Sequence, residues 1–168
     1  SPRQNRESPP LQYHRVYALK ERYPEFTIVI NGGITRIDQA AAHLERVDGV
    51  MVGREAYQNP WSLIEVDHVL FGDTPTYPSR LDVLEAYKTY MRDELEKGVP
   101  LKRLARHLLG LFQGEPGART WRRALSEAAF RSGADLTAIE AAQNSLDTTR
   151  REHAAVSAAS NQGMGLRL

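Results

Sequence analysis

The chain contains no cysteine among its 168 residues, which excludes disulfide bonds and any thiol chemistry carried by its own side chains. It also has no run of about eighteen or more apolar residues, so no segment is typical of a membrane-spanning helix. Its first ten residues, SPRQNRESPP, include neither an initiator methionine nor the charged-then-apolar pattern of a signal peptide. We therefore expect a cytoplasmic protein, and we expect that residue 1 is not the natural start of the polypeptide.

The chain has almost no net charge, with 22 basic against 21 acidic side chains, so composition alone does not indicate a polyanionic partner. The charges are nevertheless unevenly placed, because residues 101–131 carry seven basic and only two acidic side chains. The seven are Lys102, Arg103, Arg106, Arg119, Arg122, Arg123 and Arg131. Any negatively charged partner is therefore expected at this segment.

The first part of the chain alternates helical and strand patterns. A helical pattern over 12–23 precedes the β-branched run FTIVI, and a second helical pattern over 35–47 precedes the run GVMVG. This order predicts two buried parallel strands in an α/β fold. Because two strands cannot form a sheet that is covered on both faces, we expect this chain to be the C-terminal part of a larger protein.

The second part is helical throughout. The stretch DTPTYPSR carries two prolines and small polar residues, which predicts a hinge. Four helical patterns follow, over 80–98, 101–114, 118–133 and 135–155, with Asp135 as a cap of the last. We therefore predict an α/β domain at 1–72, an all-α helical-bundle domain at 79–156 and a flexible tail at 157–168.

Both predicted strands end in glycine, and this pattern is typical of a phosphate site. Glycine lets the backbone approach a ligand closely, and the N-terminus of a following helix favours an anion. In a (β/α)₈ TIM barrel such a site forms from the loops after the last two strands. Gly32, Gly33 and Ile34 would line one side, and Gly53 and Arg54 the other. The alternatives are plain turn glycines, or a dinucleotide fold, which is disfavoured because no G-x-G-x-x-G motif follows either strand.

Four motifs of this sequence occur together in one known family: SPRQNRESPPL, IVINGGIT, DGVMVGREAYQNPW and HLLGLFQGEPGARTWRRALSE. They closely resemble the C-terminal half of bacterial tRNA-dihydrouridine synthases of the A subfamily, from residue 1 to about residue 129. The resemblance implies the C-terminal part of an FMN-binding (β/α)₈ TIM barrel followed by a helical tRNA-binding domain. It also implies reduction of a D-loop uridine to 5,6-dihydrouridine, with NADPH as the reductant.

The resemblance implies site residues one by one. It places contacts to the FMN phosphate at Asn31, Gly32, Gly33, Gly53 and Arg54. It places contacts to tRNA at Arg3 and Arg6 of the first loop and at Arg119 and Arg122 of the GARTWRR helix. In a helix, Arg119, Arg122 and Arg123 share one face, which suits a phosphate backbone. Lys102, Arg103, Arg106 and His107 are weaker candidates, and Trp121 and Phe112 are predicted to be core residues.

No catalytic residue is predicted within this chain. The family protonates the uracil ring with a cysteine from the first half of the barrel, and that cysteine is expected upstream of Ser1. His43 and His68 lie in helical patterns and are not expected to replace it. We expect a monomer that binds tRNA and no metal, and that lacks activity as this chain alone. Two alternatives stay open, namely an RNA-binding helical module without catalysis and another FMN-binding barrel dehydrogenase.

Overall fold

The computed structural model describes residues 10–74 and 76–164, which form two compact units. One unit comprises the chain up to Tyr57 together with Ser62–Thr76, and the other comprises Gln58–Trp61 together with the chain from Tyr77 onward. The limits at residues 72, 79 and 156 that the sequence indicates stay a prediction.

The first unit alternates helices with two short strands. Its elements are α1 (Tyr13–Arg22), β1 (Val29–Asn31), α2 (Ile37–Leu44), β2 (Gly49–Met51) and α3 (Arg54–Gln58). A 3₁₀ turn at Pro60–Leu63 and a π-helical turn at Asp67–Phe71 follow. The two strands pair in parallel, as predicted, with Val29 opposite Gly49 and Asn31 opposite Met51.

The strands are less buried than the sequence predicts. The core of this unit consists of Ile30, Ile34, Ala40 and Val47, so β1 contributes a single side chain to it. Val29 is 56% exposed and Met51 is 47% exposed. The prediction of two buried five-residue strands is wrong for the described residues, because each strand has one partner only and no second layer covers the other face.

The described residues of the second unit form four α-helices around one core: α4 (Arg80–Glu96), α5 (Leu101–Ala105), α6 (Ala118–Ala129) and α7 (Thr137–Met164). Trp121 and Phe112 are fully buried at its centre with their rings 5.0 Å apart, which confirms them as core residues. Ile139, Ala142 and Leu146 of α7 are buried against the same core, at helical spacing. The Asp135 carboxylate accepts the Thr137 N–H at 2.9 Å, as expected of a cap.

The segment 101–114 is not the single helix that its spacing predicts. Helix α5 ends at Ala105, a 3₁₀ turn covers Arg106–Leu108, and turns continue to Gly114. The carbonyl of Leu108 accepts the Leu111 N–H at 3.1 Å and the buried Trp121 Nε1–H at 2.8 Å. Gly110 packs so closely on the backbone of Gln58 that no side chain fits there. Tertiary contacts therefore override the helical pattern of this segment.

Helix α7 also extends beyond the helical pattern that predicts it. It continues to Met164, into the stretch 157–168 for which the sequence predicts a flexible tail. No proline interrupts this stretch, and Ala158 and Ala159 favour a helix. The side chains of residues 151–159 are all exposed, so this part of α7 is a solvated extension of the helix.

Candidate phosphate site and basic helix

The two glycine-bearing stretches lie at one edge of the small sheet. Strand β1 ends at Asn31, immediately before Gly32 and Gly33, and β2 ends two residues before Gly53. Asn31 is in register with Met51, and parallel strands lie about 4.8 Å apart, so both loops leave the same carboxyl edge. The structure thus brings the predicted phosphate contacts together.

The turn after β1 requires glycine at both positions. Gly32 has φ 133° and Gly33 has φ 62°, conformations that L side chains rarely adopt. A Cβ at either position would lie 2.8 Å from the end of the Leu11 side chain. The Tyr13 hydroxyl donates a hydrogen bond to the Gly32 carbonyl and holds the turn in place. Within residues 10–74 and 76–164, the N–H of Gly33 has no hydrogen-bond partner. The backbone of this turn can therefore approach a ligand closely, and among the described residues the Gly33 N–H is available to donate a hydrogen bond to it.

The loop after β2 contributes the charge of Arg54, and the backbone of its Gly53 has no unusual conformation. Gly53 has no positive φ, and a Cβ there would only meet the Met51 sulfur at 3.4 Å, an ordinary contact. Arg54 follows it and is exposed, and its guanidinium forms no ion pair or hydrogen bond with any described side chain. Asn31 is likewise exposed at the end of β1. The side chains available to an anion here are Asn31 and Arg54.

The N-terminus of α2 is less suited to binding an anion than the sequence indicates. The Asp38 carboxylate accepts the Gln39 N–H at 2.9 Å and is paired with the neighbouring Arg36. The hydrogen bond from Arg36 is the main cause that lowers the pKa of Asp38. A carboxylate already lies at this helix start, so phosphate binding has to rest on the glycine turn and Arg54.

A buried aromatic group lies behind the glycine turn. His43 of α2 is almost fully buried, and its Nδ1 shares a 2.6 Å hydrogen bond with the Tyr17 hydroxyl. The Tyr13 ring packs edge-on against the same imidazole, with the ring centroids 4.5 Å apart. His43 therefore joins α1 to α2 and supports Tyr13, which contacts Gly32. In the sequence, Tyr13 is an apolar position of a helical pattern, and nothing in its spacing reveals this contact.

The connection into β2 is held by a carboxylate. Asp48 accepts the Ile28 N–H at 2.8 Å and pairs with the Lys20 ammonium at 2.8 Å. The backbone hydrogen bond from Ile28, followed by the hydrogen bond from Lys20, lowers the pKa of Asp48. This contact joins α1 to the beginning of both strands.

Helix α6 has one buried face and one basic face. Trp121, Leu125 and Ala129 repeat every four residues on the buried face. The remaining surface of the helix exposes Arg119, Arg122 and Arg123, which lie within an arc of about 100°. None of the three guanidiniums pairs with another side chain in the described part of the protein. The structure thus brings the predicted arginines together on one face.

The loop before α6 is held by two further arginines, Arg80 and Arg150, that no sequence pattern indicates. Arg80 Nη1 donates to the carbonyls of Leu111 and Gln113, each at 2.8 Å, and its guanidinium lies 5.2 Å from the Trp61 ring centroid. Arg150 Nη2 lies 3.5 Å from a Glu115 carboxylate oxygen. Burial is the main cause that lowers the pKa of Arg80, although an arginine stays charged. These contacts fix the entry of α6.

The remaining predicted basic residues have different outcomes. Arg3 and Arg6 lie outside the described residues. Lys102, Arg103, Arg106 and His107 are exposed on α5 and on the turn after it. Both His107 and Arg106 have contacts within the protein.

No group of three or more histidine, aspartate or glutamate side chains is arranged to hold a metal ion in the described ranges. Among the helices that the structure describes, none combines the length and apolar character that a membrane crossing requires.

The known proteins that this chain resembles share one family name. A family model described as dihydrouridine synthase matches residues 1–148. A tRNA-dihydrouridine(20/20a) synthase of Shewanella oneidensis is 53% identical over 148 residues, which are 88% of this chain and 44% of that protein. Proteins of the same name from Escherichia coli K12 and Vibrio cholerae are 53% and 48% identical, over 83% and 84% of this chain. The chain spans 41% and 43% of those two, and thus less than half of each relative.

Proposed function

The chain belongs to the dihydrouridine synthase family, and from this premise we propose that it is the C-terminal part of a tRNA-dihydrouridine synthase. The whole enzyme reduces D-loop uridine in tRNA to 5,6-dihydrouridine with NADPH and acts in the cytoplasm. The observation that carries the proposal is the placement of the Gly32–Gly33 turn beside Gly53 and Arg54 at one sheet edge.

The family has the fold of a TIM barrel, and we assign β1 and β2 to its last two strands. This assignment explains why Val29 and Met51 are exposed in strands of otherwise apolar sequence. Further strands and helices of the whole enzyme would cover them. The helices from α4 onward form the tRNA-binding domain in this proposal.

The residues at the sheet edge fit the phosphate of FMN. The backbone turn at Gly32 and Gly33 leaves room for a close approach, and the N–H of Gly33 has no partner among the described residues, while Asn31 and Arg54 supply polar side chains. When bound, the flavin supplies the hydride for the uracil ring. The task of this chain is to hold the phosphate end at a fixed position through Asn31, Gly32, Gly33, Gly53 and Arg54.

The acid of the reaction lies outside this chain. The uracil ring must also receive a proton, and the family cysteine expected for this step has no counterpart among the 168 residues. We therefore assign the proton donor to the part of the enzyme upstream of Ser1. The chain by itself is not expected to complete the reaction.

The tRNA is held by basic side chains. A stacked uridine cannot reach a buried cofactor, so the enzyme has to bind the RNA backbone firmly enough to hold the base out of its stack. Arg119 and Arg122 suit this task because they are exposed on one face and have no partner among the described residues. Arg3 and Arg6 are proposed to add contacts from the first loop.

The proposal is tested with the full-length protein, unmodified tRNA, FMN and NADPH. We expect dihydrouridine to appear in the tRNA and to depend on NADPH. A purified, FMN-loaded protein that oxidises NADPH but leaves every uridine unchanged would point to a different barrel dehydrogenase and would end this proposal.

A further inference from the structure

An exposed aromatic side chain lies at the end of the basic face of α6. Phe130 is the C-cap residue of this helix and is 61% exposed. It follows Arg119 by eleven residues and Arg123 by seven, which puts it within about 20° of each around the helix axis. The distance along the axis is about 16 Å from Arg119 and about 10 Å from Arg123. The basic face of α6 therefore carries guanidinium groups along the helix and an aromatic ring at its C-terminal end.

A cavity of about 340 Å³ lies where α6 leads into α7; Arg131 lines it and Phe130 does not. Arg131, Ser132, Asp135 and Thr137 supply its polar groups, and Ala128 and Ala138 supply methyl groups. The volume is at the lower end of the range for small-molecule pockets, so it suits one ring system. The Asp135 carboxylate would repel a phosphate, but it can accept a hydrogen bond from the amino groups that bases carry.

We propose that the C-terminal end of α6 binds an unpaired base of the tRNA, with Phe130 as its stacking surface; the cavity, which begins at the next residue, Arg131, is open to a neighbouring nucleotide. Arginines that contact the backbone next to an aromatic ring that stacks a base are the usual combination for unpaired RNA. A protein partner fits less well, because Phe130 is surrounded on its helix by Arg123, Ser126 and Glu127 and not by further apolar side chains. The inference rests on the proposed binding of tRNA.

The contribution of Phe130 can be separated from that of the arginines by the salt dependence of binding and by comparing RNAs with and without unpaired bases. Stacking on an aromatic ring is sequence-tolerant and carries no counterion release, whereas each arginine–phosphate contact adds to the salt dependence. A fully paired RNA duplex has no free base to stack. Phe130 should therefore matter for tRNA only, and the arginines for both RNAs.

The test measures binding of the full-length protein to unmodified tRNA and to a fully paired RNA duplex at several salt concentrations. We expect Phe130→Ala and Phe130→Leu to weaken tRNA binding about tenfold, to leave duplex binding unchanged and to keep the salt slope. Phe130→Trp should bind like the wild type. Tyr90→Ala, which removes another half-exposed aromatic of the same unit, is the matched control and should have no effect.

Two results would overturn the inference. One is wild-type affinity of Phe130→Ala for tRNA, and the other is full binding by Phe130→Leu, which would indicate packing and not stacking. The double variant Arg119→Ala/Arg122→Ala tests the underlying premise separately. It should weaken binding to both RNAs and lower the salt slope by about 1.5. If only the Phe130 variants behave like the wild type, the inference fails and the proposed tRNA interface stands.

Discussion

Gly110→Ala should be the most damaging single-methyl change in the second unit. A Cβ at Gly110 would lie 1.8 Å from the carbonyl oxygen of Gln58 and 2.6 Å from its carbonyl carbon. Real Cβ atoms essentially never approach below 3.0 Å, so one of two backbone segments has to move by about 1.2 Å. Backbone cannot give way as a flexible side chain can, and we expect a loss of about 3 kcal/mol in the free energy of unfolding.

The matched control is Gly98→Ala. Gly98 has a positive φ, 83°, which Gly110 lacks, but a Cβ there meets nothing within 4 Å. Its cost should be the conformational term alone, about 1 kcal/mol. The comparison therefore separates the steric clash at Gly110 from the general cost of replacing glycine.

Amide hydrogen exchange in the full-length protein measures this loss within one unit. The most protected amides of α6 should exchange roughly a hundredfold faster in Gly110→Ala and only about fivefold faster in Gly98→Ala. The Trp61 fluorescence should change as well in Gly110→Ala, because Trp61 follows Gln58 closely and its ring lies 5.2 Å from the Arg80 guanidinium. Equal protection of α6 in the two variants would refute the packing of Gln58 on Gly110.

Two smaller perturbations test the cores of the two units. Trp121→Phe removes the indole hydrogen bond to the Leu108 carbonyl and part of a buried ring, and should cost about 2 kcal/mol in urea unfolding; an unchanged midpoint would contradict the buried hydrogen bond. Asp48→Asn tests the carboxylate that accepts from Ile28 and Lys20, whose folded-state pKa is lowered. Because that pKa is lowered, the stabilisation is present above the unfolded pKa of about 3.9 and is lost as the pH falls through the folded value. The stability difference between wild type and Asp48→Asn should therefore shrink below about pH 4, and a difference that stays constant with pH would show that the charge is not responsible.

The sequence was sufficient for features that depend on periodicity. The four-residue repeat of Trp121, Leu125 and Ala129 predicts the buried face of α6, and the same repeat leaves the arginines outside. The two β-branched runs predict the strands and their parallel pairing. The glycines after the first run, Gly32 and Gly33, mark a turn with positive φ, because few other residues tolerate that conformation, whereas Gly53 after the second run has none.

Features that depend on distant contacts could not be predicted in this way. The break after Ala105 arises because the Leu108 carbonyl is engaged by Trp121 and because Gly110 lies against Gln58. Both partners lie far from the break in the sequence, so the local pattern of LKRLARHLLGLFQG still favours a helix. The hydroxyl of Tyr13 reaches Gly32 across nineteen residues for the same reason. Exposure of the strands follows from the number of their neighbours, which no local pattern reports.

The most direct measurement of the central claim is FMN binding and dihydrouridine formation in one set of full-length proteins. We predict that Arg54→Ala weakens FMN binding about tenfold or more, through loss of a charge-assisted contact to the phosphate. Dihydrouridine formation should fall at limiting FMN and recover when FMN is in excess. Arg22→Ala, which removes the same charge from the last turn of α1, should match the wild type. If Arg54→Ala binds FMN and modifies tRNA as Arg22→Ala does, the sheet edge is not the phosphate site, and the account is contradicted.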